Sequence, residues 1–266
     1  MILKPLLVKS LVDRVRGTIA WALGVVAIVA VQLSVYPSIR DSQSEVGNIA
    51  DAFPEAFQKI FRMQDYTSEI GYLSTELFTA MLPLIFIAIA VTWGSRLTTE
   101  EEDSRTADVF FTLPITRRSY TATRFMAVAF VLLLVALALL LSLVVGTEIL
   151  DFSVPLSSFV AGAWVNLLLG SIFASLAAAI GAWTGRRGVA LGVAVTLAIG
   201  FFVLYSLAPL VDSIDATTPF NPLQWTIGTQ PLSNGFDVGY SMTAILVTSA
   251  FIALTFIGFQ RRDIKT

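Results

Sequence analysis

This 266-residue chain contains no cysteine and no histidine. That removes thiol nucleophiles, disulfides, His-dependent acid–base dyads and the usual zinc ligand sets. No G-x-x-x-x-G-K-[ST] loop occurs either, so the chain does not cradle nucleotide phosphates by that route. What remains is carboxylate, concentrated in one place: Glu100, Glu101, Glu102 and Asp103 in succession, with Arg105 and Asp108 beyond them. Acidic side chains grouped like this suit the positive end of a helix dipole. Elsewhere, three polar residues stand out in apolar surroundings, Glu76, Asn166 and Ser171. An ionisable group inside a membrane is a candidate for transport, and Glu76 is read either that way or as an interfacial residue among Ser74, Thr75 and Thr79. Asn166 and Ser171 either line a polar path or bond a neighbouring helix.

The acidic run sits inside a polar segment, Arg96 to Arg124. Glu100, Glu101 and Arg105 spell E-E-x-x-x-R, which resembles the signature of CAAX-prenyl-protease-like intramembrane metalloenzymes. That family needs histidines, and this chain has none. As local structure the segment predicts a helix. Thr99 with Glu102 forms a capping box that starts it at Glu100, and Pro114 ends it, because the residue before a proline is pushed out of the helical region. Glu100 to Thr112 would make a rod roughly 20 Å long at 1.5 Å per residue. Its first half is charged, and its second half, with Ala107, Val109, Phe110 and Phe111, is apolar. Thr116 is a candidate N-cap for a second helix that carries Arg117, Arg118 and Arg124 into apolar sequence. A short helix, a proline break and a basic ramp suggest a lever between a membrane domain and a soluble partner.

The elements that hold this lever are apolar. The chain is 56% hydrophobic and 14% charged, with a mean hydropathy of +0.78, outside the range of soluble globular domains. Its apolar blocks reach the ~18 residues needed to cross roughly 30 Å of hydrocarbon. Six spans are predicted, at about 18–36, 73–93, 125–146, 157–183, 189–209 and 241–259, giving an all-α integral membrane protein in one transmembrane domain over 1–266. The fourth is long enough to tilt or bend, with Gly162 and Gly170 as bend points. Fourteen Lys and Arg fall on one side of these spans and three on the other, which places both termini in the cytoplasm. Trp21, Trp93 and Trp183 then fall at cytoplasmic ends, as an interfacial belt would place them.

Residues 1–17 carry Lys4, Lys9, Arg14 and Arg16 against Leu3, Leu7, Leu11 and Val15. That pattern suits an interfacial helix on an anionic membrane surface and equally a positive flank of the first span; no signal peptide is expected. In the first outer loop, 49–62 has helical spacing of Ile49, Phe53, Phe57 and Phe61, with Pro54 in a first turn. It reads as a packing cap, an outer gate or an in-plane helix. The last outer loop carries Pro219, Pro222 and Pro231 and is expected to be ordered irregular structure. Gly181/Gly185 and Gly188/Gly192 each spell G-x-x-x-G, which close helix packing explains.

The Arg96–Arg124 segment resembles the first cytoplasmic loop of ABC-2-type transporter permeases, the membrane subunits of exporters such as the NatB-like and bacitracin-resistance-type systems. That loop reads approximately E-x-x-x-G-T-x-E-x-L-L-x-x-P-[IV]-[ST]-R. Glu102, Thr106, Asp108, Phe111, Leu113, Pro114, Ile115, Thr116 and Arg117 fall in register, while Arg105 stands where glycine is usual and Asp108 replaces the second glutamate. Thr218-Pro219-Phe220-Asn221-Pro222 is similar to the family's outer Pro-Phe element, and Phe259-Gln-Arg-Arg-Asp263-Ile264 to its terminal F-x-R-R-D-L.

The resemblance implies a permease in the cytoplasmic membrane that pairs with a second permease chain, identical or paralogous, and with two copies of a separately encoded ABC ATPase. This chain would bind no cofactor itself, with ATP and Mg held on the partner ATPase, and no nucleic acid is expected as a partner. Residues 99–113 would be the coupling helix. Phe110 and Phe111 would fill a pocket of the ATPase, or else lie on the membrane interface. Glu100, Glu101, Glu102, Asp103 and Arg105 would set registry at the rim, with Asp108, Leu113, Pro114 and Arg117 completing the contact. A lipophilic substrate, an antibiotic, peptide or lipid, would move outward. The competing reading is a self-sufficient ion-coupled carrier, for which Glu76 would be the coupling residue.

Overall fold

The computed structural model describes residues 3–41, 54, 66–104 and 115–262. Among them all regular structure is helical, and six helices are long and apolar enough to cross a membrane. They are α1 (Leu3–Asp41), α2 (Glu69–Arg96), α3 (Arg117–Ile149), α4 (Leu156–Thr184), α5 (Arg187–Leu207) and α6 (Val238–Arg261). The expected all-α six-span architecture is what the chain adopts.

The fourth helix is the centre of the bundle, packed against α2, α3, α5 and α6, while α1 lies along α3. Composition explains that place. α4 carries Gly162, Gly170, Ala174, Ala177, Ala178, Gly181 and Ala182 among its buried residues, and small side chains let helix backbones approach closely where no water drives association. Gly162 and Gly170 serve this approach within an unbroken helix. A Cβ at Gly162 would stand 2.5 Å from the Phe78 ring, and one at Gly170 would stand 3.1 Å from Leu132. The tightest crossing is between α2 and α4, where a Cβ on Gly94 would run into the backbone carbonyl of Ala174.

The basic N-terminal stretch is not a separate in-plane helix. α1 runs without interruption from Leu3, and Gly17, the one weak helix former at the expected junction, packs against Trp93. Nor does Trp93 belong to an interfacial belt, for it is buried. Of the two G-x-x-x-G pairs, the first packs against other elements, Gly181 against Thr98 and Thr99 and Gly185 against Arg262 and Glu102. Gly185 is the left-handed C-cap of α4 (φ 65°), and Gly188 and Gly192 face open space.

Within α2, Ser74–Met81 winds as a π-helix. Pro83 follows at the head of the next α-helical stretch. Proline has no N–H to donate and its ring crowds the carbonyl four residues back, which favours a wider turn before it. Such turns are rare overall and frequent at functional sites.

The connector from α5 to α6 is ordered, as its prolines predicted. Pro219, Pro222 and Pro231 each stand in the first turn of a short helix, Thr218–Phe220, Pro222–Trp225 and Pro231–Asn234, where the missing N–H costs nothing. Asn221 fixes its path by donating to the Phe201 carbonyl (2.9 Å) and accepting from the Leu223 amide (3.0 Å). The connector dips into the bundle: Trp225 packs with Leu168 and Ile172, about three to four turns along α4 from its N-terminal end.

Candidate functional site

The acidic run lies where α1, α2, α3, α5 and α6 converge at one end of the bundle. Glu100–Asp103 is a single helical turn. The expected capping box does not form. The Thr99 hydroxyl turns back and donates to the Ser95 carbonyl (2.7 Å), so it gives the turn no side-chain cap. Ser104 closes the turn, its amide bonded to the Glu100 carbonyl at 3.0 Å.

Each carboxylate of the turn meets an arginine from a long helix or its cap. Glu100 Oε2 accepts from Arg14 of α1 (3.2 Å) and from Arg124 of α3 (2.7 Å). Glu101 accepts from Arg124 with one oxygen and from the Tyr120 hydroxyl with the other. Glu102 pairs with Arg262, the C-cap residue of α6, at 2.9 Å. Asp103 pairs with Arg187, the first residue of α5, at 3.5 Å.

Burial grades these contacts. The side chains of Arg14, Arg124, Glu101 and Glu102 are each under a tenth exposed, whereas Asp103 is 52% exposed. Buried ions persist when paired and hydrogen-bonded: Arg14, Arg124 and Glu101 are both, and Glu102 is paired with Arg262. Arg14 also donates to the Ser10 carbonyl (2.7 Å) and lies 5.3 Å over the Trp93 ring, with Arg96 at 5.5 Å from the same ring.

A second staple joins the start of α3 to the end of α6. Thr116 is the N-cap of α3, accepting from the Ser119 amide at 3.2 Å. Arg117 donates to the carbonyls of Phe259 (3.0 Å) and Arg262 (2.6 Å), satisfying acceptors that a helix end leaves open. Tyr120 stacks on Phe259 with ring centroids 5.7 Å apart. Mechanically, any displacement of the acidic turn acts on α1, α3, α5 and α6 together.

The remaining candidates do not converge. Glu76 lies in the π-helix and accepts from the Tyr66 hydroxyl (2.7 Å) and from Gln32 of α1 (3.3 Å). Tyr72 donates to Gln32 in turn. Burial, with the hydrogen bond to Glu76 added, pushes the Tyr66 hydroxyl well above the usual tyrosine range. Asn166 is buried and donates to the Gly162 carbonyl one turn back (2.9 Å). Ser171 bonds the Leu167 carbonyl and lines a groove between α3, α4 and α6. Arg105, Asp108, Phe110, Phe111, Leu113 and Pro114 lie outside the described residues, as do the 49–62 segment apart from Pro54, and Asp263 and Ile264.

Sequence reasoning located the acidic turn without its partners, Arg14, Tyr120, Arg124, Arg187 and Arg262. One usable signal was there: these four arginines all fall on the basic side of the charge count.

A family model described as ABC-2 family transporter protein matches residues 5–264. Comparison with curated protein sequences gives no match.

Proposed function

This chain belongs to the ABC-2 family of transporter proteins, and from that premise we propose that it is the membrane-spanning subunit of an ATP-driven exporter of the cytoplasmic membrane. A separately encoded ATPase docks on the 99–113 segment and supplies the work. Two permease chains and two ATPase chains form the working unit, and the cargo is lipophilic. ATP and Mg sit on the ATPase.

The observation that carries this reading is the pinning of Glu100–Asp103 to four helices by Arg14, Arg124, Arg187 and Arg262. A turn tied this way leads directly into the 105–114 segment, and a push delivered there reaches α1, α3, α5 and α6 at once. Its inner ion pairs are shielded from water, so they hold geometry under load better than exposed, salt-screened pairs would. Phe110 and Phe111 supply aromatic anchors of the kind that dominate binding energy at protein contacts.

The test is co-purification of the full chain from its native locus in mild detergent, followed by native mass spectrometry. Two permease and two ATPase chains are expected. Phe111→Asp should then lower ATPase recovery without changing the thermal stability of the permease. A permease that purifies without any ATPase, or a Phe111→Asp variant that keeps full recovery, would overturn the reading.

A further inference from the structure

At the opposite end of the bundle from the charged junction, a cavity of about 220 Å³ lies between α2, α5 and the α5–α6 connector. It is lined by Ser74, Phe78, Thr79, Tyr205, Gln230 and Ser233, among others. Three independent features meet on this lining. The Ser74 hydroxyl oxygen is buried and has no hydrogen-bond partner, a costly state for a polar group. Ser74, Phe78 and Thr79 belong to the π-helix. Gln230 is held in the left-handed region at φ 53°, ψ 65°, which is uncommon for a residue with a Cβ and is found at ligand clamps.

The lining also states what it would accept. None of its described residues is charged. Glu76, on the same π-helix, is engaged by Tyr66 and Gln32. A charged group placed here would lose its hydration without a counter-ion. A purely apolar group would strip water from the Gln230 and Ser233 side chains without replacing its hydrogen bonds. Hydroxyls and an amide set among the Phe78 and Tyr205 rings suit a neutral, hydroxyl-rich group, and the volume equals the share of about seven waters, the size of one sugar ring.

The same pair of helices continues into an apolar groove. Leu84, Ile87 and Val91 of α2 face Leu191, Val195 and Ile199 of α5 around about 280 Å³. Leu84 follows Thr79 by about 8 Å of helix, and the groove runs on for about 11 Å at 1.5 Å per residue. The groove thus begins about one and a half turns from the cavity along the same pair of helices.

We infer that the α2/α5 cleft binds an amphipathic molecule with an uncharged, hydroxyl-rich headgroup in the Ser74–Tyr205–Gln230 cavity and its acyl chain along the groove. That this molecule is the exported cargo rests on the function proposed above; the binding itself does not.

The absence of native cysteine makes the test direct. Single-cysteine chains Ser74→Cys and, because Ser74 lies in the π-helix, separately Ser233→Cys are placed in phosphatidylcholine nanodiscs without ATPase, and the rate of maleimide labelling is followed. Monoglucosyl diacylglycerol should slow labelling several-fold at either position, while equal mole fractions of phosphatidylglycerol and of plain diacylglycerol should not. Equal protection by all three lipids, protection by phosphatidylglycerol alone, or no protection by any would overturn the proposal. So would protection that grows with two protein copies per disc and no added lipid, which would assign the cleft to a second copy of the chain. Since no nucleotide is used, failure here leaves the exporter reading standing.

Discussion

Arg124, one turn along α3 from Tyr120, joins Glu101 and Glu100 with its two terminal nitrogens and so locks the entry of α3 to the exit of α2. Glu101 meanwhile also accepts from Tyr120, so its removal takes an acceptor from a buried hydroxyl and leaves the buried Arg124 guanidinium with Glu100 alone. Breaking a buried pair from one side costs about 3–5 kcal/mol. Glu101→Leu should therefore lower the thermal midpoint in detergent sharply, Glu101→Gln much less, and Glu101→Leu with Arg124→Leu should recover most of the loss. Asp103→Ala is the control, because its pair with Arg187 is half exposed and such pairs are worth under ~1 kcal/mol. Equal losses for Glu101→Leu and Asp103→Ala would show that burial does not grade this network.

Gly94 and Gly192 predict opposite outcomes from one substitution. A Cβ on Gly94 meets the Ala174 carbonyl, which is backbone and cannot rotate away. Gly94→Ala should separate α2 from α4 at a cost of about 1–3 kcal/mol, the usual range for overpacking. At Gly192 nothing lies within 4 Å, so alanine there should be neutral or gain up to ~1 kcal/mol from helix propensity. Thermal unfolding of the two variants in the same detergent decides it.

How much of this was legible in the sequence follows from what each feature depends on. Six helices were legible because apolar length is a property of contiguous residues. The Thr116 cap and the proline-led connector were legible for the same local reason. The partners of the acidic turn were not, since Arg14 and Arg262 lie far from it in the chain and reach it only through the rotation and packing of whole helices. Trp93 misled for a related reason. Its position at a helix end suggested a lipid interface, whereas Arg14 and Arg96 flank its ring. The cavity between α2, α5 and the connector is a matter of how the connector dips beside α2, which no local pattern encodes.

Tyr66 gives a pH signature. Its hydroxyl is held protonated in the folded chain by burial and by Glu76, while the unfolded chain releases that proton near pH ~10. Below that pH both states carry the proton and the group does not alter the balance. Above it only the unfolded state loses the proton, so stability falls as pH rises. Tyr66→Phe should reduce the drop in thermal midpoint between neutral pH and the range above ~10; an unchanged drop would show that the hydroxyl is ionised as easily in the fold as out of it.

The last prediction separates a junction that transmits force from one that only stabilises. Arg262 ties α6 to the turn through Glu102, and through its carbonyl to Arg117. Only the first tie depends on its side chain. Arg262→Gln removes the charge of the pair, leaves the carbonyl in place and touches none of the Arg14–Glu100–Arg124–Glu101 set. With spin labels at exposed Val145, near the far end of α3, and Val211, in the connector just past α5, the assembled complex should show a nucleotide-dependent change in label separation. In Arg262→Gln that change should shrink while ATPase recovery on purification stays at its unmodified level. If α6 merely packs, the change persists at full amplitude. If the variant loses the ATPase altogether, the pair belongs to the docking surface and not to the linkage behind it.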